Sequence, residues 1–384
     1  MPNAFLTATS AVLPGPPVSN DEMEAVLGRI GAAPSRLRAR ILRNNGIQHR
    51  HYALDRETGR PTHTSAELAA SAIGAACRAR GIPLTDLEML ACATAITEHV
   101  VPGHASSVHG ELGSHPCEIA TLHGVCCAGI TALKYATMAV WSGGTRTAAV
   151  SAVERPSAFL RGAHFSSELA ARTAEQENDP YVGFDQEFLR WMLSDGAGAV
   201  VIQDRPRPSG ISLRIEWIDL ISFANELPTC MYMGAACEPD GGLTGWSDSE
   251  SLDAAVRGGL FNLHQDVKLL GAHMVESCAR SLETVRARRG LEAGQVDWLL
   301  PHYSSEFFRE QMENGLSAAG FAVPTSRWCS NLVQRGNTGC ASAFIMLHDF
   351  CESGRLQAGQ TVLLMVPESG RFSCAWALLR AVEA

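Results

Sequence analysis

Short apolar runs alternate with longer amphipathic stretches along most of the chain. The apolar runs have the length and composition of buried strands, and the stretches between them have the period of helices. The predicted strands are Met89–Ile96, Ala148–Val153, Ala199–Gln203, Val296–Leu300, Val362–Val366 and Ala375–Leu379. The predicted helices are Ala66–Arg80, Cys127–Trp141, Val267–Arg288 and Cys340–Cys351. Strands that alternate with helices at this spacing predict an α/β fold with mostly parallel pairing.

One strand–helix–strand unit occurs twice. In the first copy, Cys127 begins a predicted helix, and the strand after that helix ends 27 residues later at Glu154. In the second copy, Cys340 begins the helix, and the following strand ends 28 residues later at Glu368. The repeat predicts two pseudo-symmetric halves. The alternative is a chance likeness between two common units.

The boundary between the halves is predicted at the main break in composition. Asp204–Gly210 contains two prolines and a glycine directly after an apolar run, which is typical of a connection between units. We therefore predict one unit over 1–205 and a second over 206–384. A length of 384 residues agrees with two fused units of ordinary size.

The composition narrows the class of protein. Hydrophobic residues make up 46% of the chain and charged residues 18%, which is typical of a globular protein with a large core. The formal net charge of −9 argues against bulk binding to nucleic acid or to an anionic membrane. The sequence contains no apolar run of membrane-spanning length and no secretory leader in its first residues. The twelve cysteines are therefore expected to be reduced thiols in a cytoplasmic protein.

The segment Thr121–Ile130 places two cysteines, Cys126 and Cys127, where a strand turns into a helix. Unpaired N–H groups and the dipole at a helix N-terminus favour a thiolate, which is the nucleophilic form of cysteine. Covalent catalysis is one interpretation of this position. The other is that both residues are small core hydrophobes, as free cysteines often are.

Two further residues lie where functional side chains are common. His302 follows a buried strand, at the strand end where parallel sheets present functional groups. Asn337 lies beside Gly336 and precedes the repeat helix, a position that also suits an ordinary turn residue. Each signal is weak when it is taken singly.

These segments together resemble the Cys, His and Asn motifs of ketoacyl-ACP synthase III enzymes in the thiolase superfamily. The resemblance is carried by Val125-Cys-Cys-Ala-Gly-Ile130, Leu300-Pro-His-Tyr303 and Arg335-Gly-Asn-Thr-Gly339. Asn45–Arg50, Ser194–Ala199 and Ser369–Phe372 add matches in the same order. The resemblance implies a thiolase-like α/β fold with an α-β-α-β-α layering. Cys117–Ser151 and Asp179–Ala199 are most similar to the dialkylresorcinol- and cyclohexanedione-forming condensing enzymes.

The resemblance also implies roles for individual residues. Cys127 resembles the acylated nucleophile, because it precedes Ala-Gly as in the family motif. His302 and Asn337 resemble the pair that polarises the carbonyl of the second thioester. The backbone N–H groups of Cys127 and of the turn at Gly370 and Arg371 resemble an oxyanion hole, although housekeeping members have a run of glycines in that turn.

The substrates implied are thioesters of phosphopantetheine, and no other cofactor is implied. Housekeeping members that use CoA have a tryptophan before the Gly-Ile-x-x-Arg stretch, and this chain has no aromatic residue there. The basic residues Arg36, Arg38, Arg40 and Arg43 suit an acidic acyl carrier protein or a phosphate. A solvated helix face is the alternative.

Glu154 ends the strand that follows the nucleophile helix and has two interpretations. A buried carboxylate with a raised pKa would be a general base for a second C–C bond. A carboxylate that accepts backbone N–H groups would be structural. The segment Arg155–Leu193 is longer than in housekeeping members, which predicts either an ordered lid over an acyl tunnel or an additional packed helix.

The function predicted is condensation of an enoyl or acyl group with a carrier-bound β-ketoacyl thioester to give a cyclohexanedione. The alternatives are an ordinary synthase that makes a linear β-ketoacyl product, a cysteine hydrolase, and a non-catalytic partner subunit. A zinc site among the histidines and cysteines of 104–126 is disfavoured by their spacing. A homodimer is expected, with Glu118–Leu122 pairing across the two-fold axis.

Overall fold

The computed structural model describes residues 3–30, 35, 37–165, 187–238 and 240–383. The strands within them are β1 (Phe5–Val12), β2 (Val18–Ser19), β3 (His49–Arg50), β4 (Met89–Thr94), β5 (Glu118–His123), β6 (Thr147–Glu154), β7 (Gly196–Gln203), β8 (Ser212–Ser222), β9 (Met231–Tyr232), β10 (Ala235–Cys237), β11 (Leu243–Gly245), β12 (His264–Gln265), β13 (Trp298–Pro301), β14 (Thr361–Glu368) and β15 (Ser373–Val382). The α-helices are α1 (Met23–Leu27), α2 (Arg38–Asn45), α3 (Ser65–Arg78), α4 (His104–Leu112), α5 (Ala128–Trp141), α6 (Ser157–Leu160), α7 (Leu252–Arg257), α8 (Val267–Arg289), α9 (Phe307–Ala318), α10 (Leu332–Arg335) and α11 (Ser342–Glu352).

Nine of the described strands are hydrogen-bonded in the order β13-β14-β15-β8-β1-β7-β6-β4-β5. The pairs β13–β14, β4–β6 and β4–β5 are parallel, whereas the five pairs between them are antiparallel. The prediction of mostly parallel pairing is therefore wrong. Two strands that the sequence pattern did not predict, β1 and β8, lie in the middle of this order, and a tight turn makes β14 and β15 a hairpin.

Helices pack against the outer faces of the sheet. Other helices lie between the inner faces of its two halves, one of which contains β4, β6 and β7 and the other β13–β15. One apolar cluster joins α3 to the outer face of β4, β6 and β7, and another joins α8 and α9 to the outer face of β13–β15. A third cluster contains α5 and α11 with the inner faces of both halves. The strands alternate between clusters: Ala375 and Ala377 of β15 face the centre, and Cys374 and Trp376 face outward. This is the predicted α-β-α-β-α layering.

The two central helices meet closely near their N-termini. A Cβ atom on Gly129 would lie 2.6 Å from the carbonyl oxygen of Cys340 and 3.2 Å from the Cβ of Ala152. Only a glycine fits this approach without displacing backbone. The contact places the first turns of both helices side by side in the middle of the molecule.

The predicted boundary at Asp204–Gly210 falls in the connection between β7 and β8. At the opposite end of the order, β5 has a neighbour on one side and lies at the sheet edge. Among the described residues, no helix is both long and apolar enough to cross a membrane.

Candidate active site

Cys126 lies at the point where two cavities meet between the halves of the chain. The inner cavity, of about 50 Å³, is lined by Cys126 together with Glu154 and Asn337. The histidine cavity, of about 20 Å³, is lined by Cys126 together with His302 and Tyr303. Both cavities also share Ser304 and Ser369, so they are contiguous. The structure thus brings the predicted His, Asn and Glu side chains to one place, with Cys126 at its centre.

Cys127 faces a different environment. Its thiol donates a hydrogen bond to the backbone carbonyl of Val366 at 3.1 Å, and the residue is 4% exposed. Cys127 lines neither the inner cavity nor the histidine cavity. Burial, followed by the nearby Glu368 carboxylate, raises the pKa of this thiol. Of the two thiols, Cys126 is therefore the one that lines the inner and histidine cavities.

His302 follows β13 and is held by its own backbone, whose N–H donates to the carbonyl of Met365 at 2.8 Å. The residue is 5% exposed, and burial lowers the pKa of the imidazole to about 4. The ring is therefore neutral near pH 7 and carries one N–H donor. A neutral imidazole in this cavity can donate to a substrate oxygen.

Asn337 is held by its backbone and by its side-chain oxygen. Its N–H donates to the carbonyl of Met192 at 3.1 Å, and its carbonyl accepts from Ser194 at 2.8 Å. Its side-chain oxygen accepts from the N–H of Gly339 at 2.9 Å. With that oxygen engaged, the side-chain NH₂ is the group available to donate into the inner cavity.

Glu154 is buried at the end of β6, in the wall of the inner cavity. One carboxylate oxygen accepts from the N–H of Ala95 at 2.9 Å and from that of Cys340 at 3.4 Å. Burial raises the pKa of Glu154 to about 7, although these hydrogen bonds oppose the rise. The carboxylate therefore accepts backbone N–H groups, as the structural interpretation predicts, and it has the raised pKa that the general-base interpretation requires.

The side chain of Glu368, the last residue of β14, binds the turn that contains Cys126 and Cys127. A single carboxylate oxygen accepts from the N–H of Val125 at 3.0 Å and from that of Cys127 at 2.9 Å. The N–H of Cys127, predicted as an oxyanion-hole donor, is therefore already engaged. Burial raises the pKa of Glu368, and these two hydrogen bonds oppose the rise.

The turn from Ser369 to Phe372 joins β14 to β15 beside this site. Gly370 is buried, and its carbonyl accepts from the N–H groups of Cys230 and Met231. Within the described ranges, the N–H of Gly370 and that of Cys126 donate no hydrogen bond to another residue. Arg371 is exposed and donates to the carbonyl of Leu227 at 3.0 Å. Cys126 and Gly370 are thus the backbone donors left for a substrate oxygen.

An apolar groove of about 500 Å³ continues from the inner cavity, with which it shares Ile96, Val125, Met231 and Leu263. This outer groove is also lined by Tyr232, Met233, Leu243, Trp246 and Phe261. Thr97 and His123 also line it, but most of the wall is apolar and suits a hydrocarbon chain.

The remaining predicted site residues lie away from the cysteines or outside the described residues. Arg40 and Arg43 are exposed on α2, whereas Arg38 turns inward to the carbonyl of Asn20 and to Glu24. Arg36 lies outside the described residues, and so does 166–186, most of the predicted lid segment. Within the described ranges, no group of three His, Cys, Asp or Glu side chains is arranged to hold a metal ion.

Glu368 was not among the residues predicted from the sequence. The acylated nucleophile was predicted at Cys127, whereas Cys126 is the cysteine that lines the two cavities. One signal for Cys126 was present in the repeat. Both central helices end at Ser-Gly, with φ +76° at Gly143 and +68° at Gly354. Counting back 17 residues from each glycine reaches Cys126 in one half and Asn337 in the other. The same repeat placed Glu368 at the strand end equivalent to Glu154. Its contact with the cysteine turn was not predictable, because its partners are more than 240 residues away.

Comparisons with known proteins agree with this architecture. Residues 287–380 match the family model described as the C-terminal domain of 3-oxoacyl-[acyl-carrier-protein (ACP)] synthase III. Among solved structures, the chain is similar to AbyA1, described as a tetronic acid condensing enzyme, with a TM-score of 0.73, 21% identity, and coverage of 98% of this chain and 99% of the other.

Two further structures show the same likeness. The synthase III FabH from Pseudomonas aeruginosa PAO1 gives a TM-score of 0.71 at 21% identity and covers 98% of both chains. OleA from Xanthomonas campestris, with bound lauric acid and lauroyl-CoA, gives 0.72 at 18% identity, over 98% of this chain and 99% of the other. These likenesses confirm the predicted thiolase-like fold.

Proposed function

We propose that the chain is a condensing enzyme of the ketosynthase III type, which joins two acyl thioesters through an acyl-cysteine intermediate. The observation that carries the proposal is the meeting of Cys126, His302, Asn337 and Glu154 around two contiguous cavities. The family model matched by residues 287–380 supports it, since that segment includes both His302 and Asn337. The three similar structures are a condensing enzyme, a synthase and a protein with bound lauroyl-CoA, which agrees with acyl-thioester chemistry.

In the first step, the Cys126 sulfur attacks the carbonyl of the donor thioester. A new C–S bond forms, the donor's C–S bond breaks, and the departing thiol takes the proton that Cys126 loses. The N–H groups of Cys126 and Gly370 stabilise the negative charge on the carbonyl oxygen, as donors in an oxyanion hole do. The family motif assigns the acyl group to Cys127, but the two cavities favour Cys126, which we adopt.

In the second step, His302 and Asn337 donate to the carbonyl oxygen of the second thioester. Glu154, which titrates near neutral pH, removes a proton from the carbon between the two carbonyls of a β-ketoacyl acceptor. The resulting enolate attacks the acyl carbonyl on Cys126, a C–C bond forms, and the C–S bond to Cys126 breaks. The thiolate then recovers a proton. The acyl chain lies in the outer groove during both steps.

The product we propose is a cyclohexanedione. A second carbanion of the acceptor adds to the C=C bond of the enoyl group, whose π bond breaks as the new C–C bond closes the ring, and the proton lost from the acceptor goes to the enoyl α-carbon. The subgroup resemblance and the position of Glu154 in the inner cavity support this product. AbyA1, described as a tetronic acid condensing enzyme, is a ring-related precedent with the same fold. The linear β-ketoacyl product of an ordinary synthase is the alternative, and the FabH likeness favours it equally.

The partner we propose is an acyl carrier protein, with Arg40 and Arg43 as its exposed basic contacts. The similar FabH structure is that of a 3-oxoacyl-(acyl carrier protein) synthase III, which supports this choice. A homodimer through β5 and a cytoplasmic location remain part of the same proposal. An exposed edge strand suits pairing with a second copy.

The test mixes the protein with an enoyl thioester and a β-ketoacyl carrier protein and analyses the products by liquid chromatography with mass detection. A cyclic diketone and an acyl adduct on the cysteine peptide are expected. Only a linear 3-oxo product would favour the ordinary synthase, and only free acid would favour a hydrolase. A protein that never acylates would fit the partner subunit.

A further inference from the structure

We propose that Glu368 is the positioning residue of the nucleophile turn: one carboxylate oxygen holds the N–H groups on both sides of Cys126 and so directs Cys126 into the cavities. This inference deepens the proposed function and rests on it for the identity of the reaction. The contacts themselves are independent of any substrate.

The geometry of the turn fixes the backbone around Cys126. The oxygen of Glu368 accepts from Val125 at 3.0 Å and from Cys127 at 2.9 Å, and the N–H of Cys126 lies between these two in the sequence. The turn is thus fixed at both flanks while its central N–H stays available. A backbone rotation that turned Cys127 toward the cavities in place of Cys126 would break both hydrogen bonds to the Glu368 carboxylate. Hydrogen bonds to a charged acceptor are stronger than neutral ones.

The position of Glu368 in the chain links the turn to the second backbone donor. Glu368 ends β14, and two residues later Gly370 offers the other free N–H. Gly370 also packs on the turn, since a Cβ atom there would lie 2.9 Å from the side chain of Val125. The end of β14 therefore supplies one donor, the N–H of Gly370. Through Glu368 it also fixes the turn that supplies the other donor, the N–H of Cys126. The relative position of two donors decides how well they stabilise one oxygen.

The charges around Cys126 distinguish two effects that Glu368 could have, positioning the thiol and activating it. Burial raises the pKa of the Cys126 thiol, and the carboxylates of Glu368 and Glu154 raise it further. A negative charge beside the thiol opposes formation of the thiolate, so Glu368 does not activate the nucleophile. The N–H groups of Cys127 and Val125, and then His123, favour the ionised form of Glu368. The benefit of Glu368 must therefore lie in the geometry that its hydrogen bonds impose.

The test compares Glu368→Gln and Glu368→Ala with Asp219→Asn. Asp219 is another buried carboxylate, but it is paired with Arg288 and Arg289 on the outer side of the sheet. Three quantities are measured for each full-length protein. They are the rate of iodoacetamide alkylation at Cys126 and Cys127 by peptide mass spectrometry across pH, the single-turnover rate of acylation, and the thermal midpoint.

Glu368→Gln keeps an oxygen that accepts both N–H groups and removes the charge. We expect alkylation of Cys126 to remain selective and its pH midpoint to fall, because a negative neighbour is gone. Glu368→Ala releases the turn, and we expect selectivity between the two cysteines to be lost and acylation to slow by about 100-fold, the effect of a misplaced reacting group. Asp219→Asn should lower the thermal midpoint and leave selectivity and acylation unchanged.

Glu368→Ala with wild-type selectivity and acylation would overturn the proposal. If Glu368→Ala does not fold, Glu368→Gln decides: loss of the selectivity for Cys126 in this variant, which keeps an acceptor for both N–H groups, overturns the proposal as well. Alkylation needs no substrate. A wild-type protein that alkylates selectively but never acylates would therefore refute the proposed function and leave the role of Glu368 standing.

Discussion

Cys126 and Cys127 are adjacent in the chain, yet their thiols face different environments. Cys126 lines the two cavities that contain His302, Asn337 and Glu154, whereas the thiol of Cys127 is bonded to the carbonyl of Val366. We expect Cys126→Ala to abolish acylation and Cys127→Ala to retain most of it. Intact-protein mass spectrometry after exposure to an acyl thioester measures this directly. An acyl adduct that survives in Cys126→Ala and disappears in Cys127→Ala would return the role to Cys127, as the family motif predicts.

His302 and Asn337 are expected to act on the second substrate. Loss of one donor to a developing oxyanion slows a reaction by roughly 100- to 1,000-fold. His302→Ala and Asn337→Ala should therefore still acylate but condense more slowly by that factor. Rapid-quench kinetics on pre-acylated protein separates the two steps. Normal condensation combined with failed acylation would reverse the roles.

Glu154→Gln tests the base and its pH dependence. Burial raises the pKa of Glu154 to about 7, so the carboxylate becomes an active base as the pH rises through that value. Wild-type condensation should accelerate between about pH 6 and 8, and Glu154→Gln should be slow and flat over the same range. Glu154→Gln should still be acylated. A cyclic product formed at the wild-type rate by Glu154→Gln would remove Glu154 from the chemistry.

The same shift predicts how stability depends on pH. The pKa of Glu154 is higher in the folded protein than its ordinary value of 4.5, so the folded state binds the proton more tightly. This contribution to stability is complete below pH 4.5 and is lost as the pH rises through about 7. Denaturant unfolding of wild type should lose stability over this window relative to Glu154→Gln, and parallel curves would contradict the shift.

Gly129→Ala tests the close approach of the central helices. The added methyl group would lie 2.6 Å from the carbonyl oxygen of Cys340, and overpacking of this kind costs about 1–3 kcal/mol. Gly110→Ala is the matched control: Gly110 lies in α4 with no atom within 4 Å of its added Cβ. The control should stabilise the protein by about 0.5–1 kcal/mol through helix propensity. Equal unfolding free energies for both variants would refute the contact.

Ile119→Lys tests the homodimer. Ile119 is 40% exposed on the edge strand β5, where a charged side chain opposes strand pairing. Light scattering should give twice the 41.1 kDa chain mass for wild type and a monomer for Ile119→Lys. Phe307→Lys, which replaces an exposed apolar side chain on α9, should remain dimeric. Wild-type scattering at the mass of one chain would refute the dimer.

Local pattern was enough to locate most elements, and together with the family resemblance it singled out three residues that line the two cavities. The apolar runs predicted β4, β6, β7 and β14 within a few residues, because strands buried on both faces have no polar positions to interrupt them. His302 and Asn337 were identified by their places next to a strand end and a glycine turn. The same reasoning found Glu154, and the structure brings all three to the inner and histidine cavities.

The tertiary structure decided the direction of strand pairing, which cysteine lines the two cavities, and what Glu368 contacts. The sequence of a strand indicates how buried the strand is, but it does not indicate which strand lies beside it. The position of β1 between β7 and β8 could therefore not be predicted. The side chains of successive residues in a helical turn point about 100° apart. A shift of one residue, from Cys126 to Cys127, therefore changes whether the thiol faces the cavities. Glu368 contacts that turn across 241 residues of sequence, a distance that local periodicity does not encode.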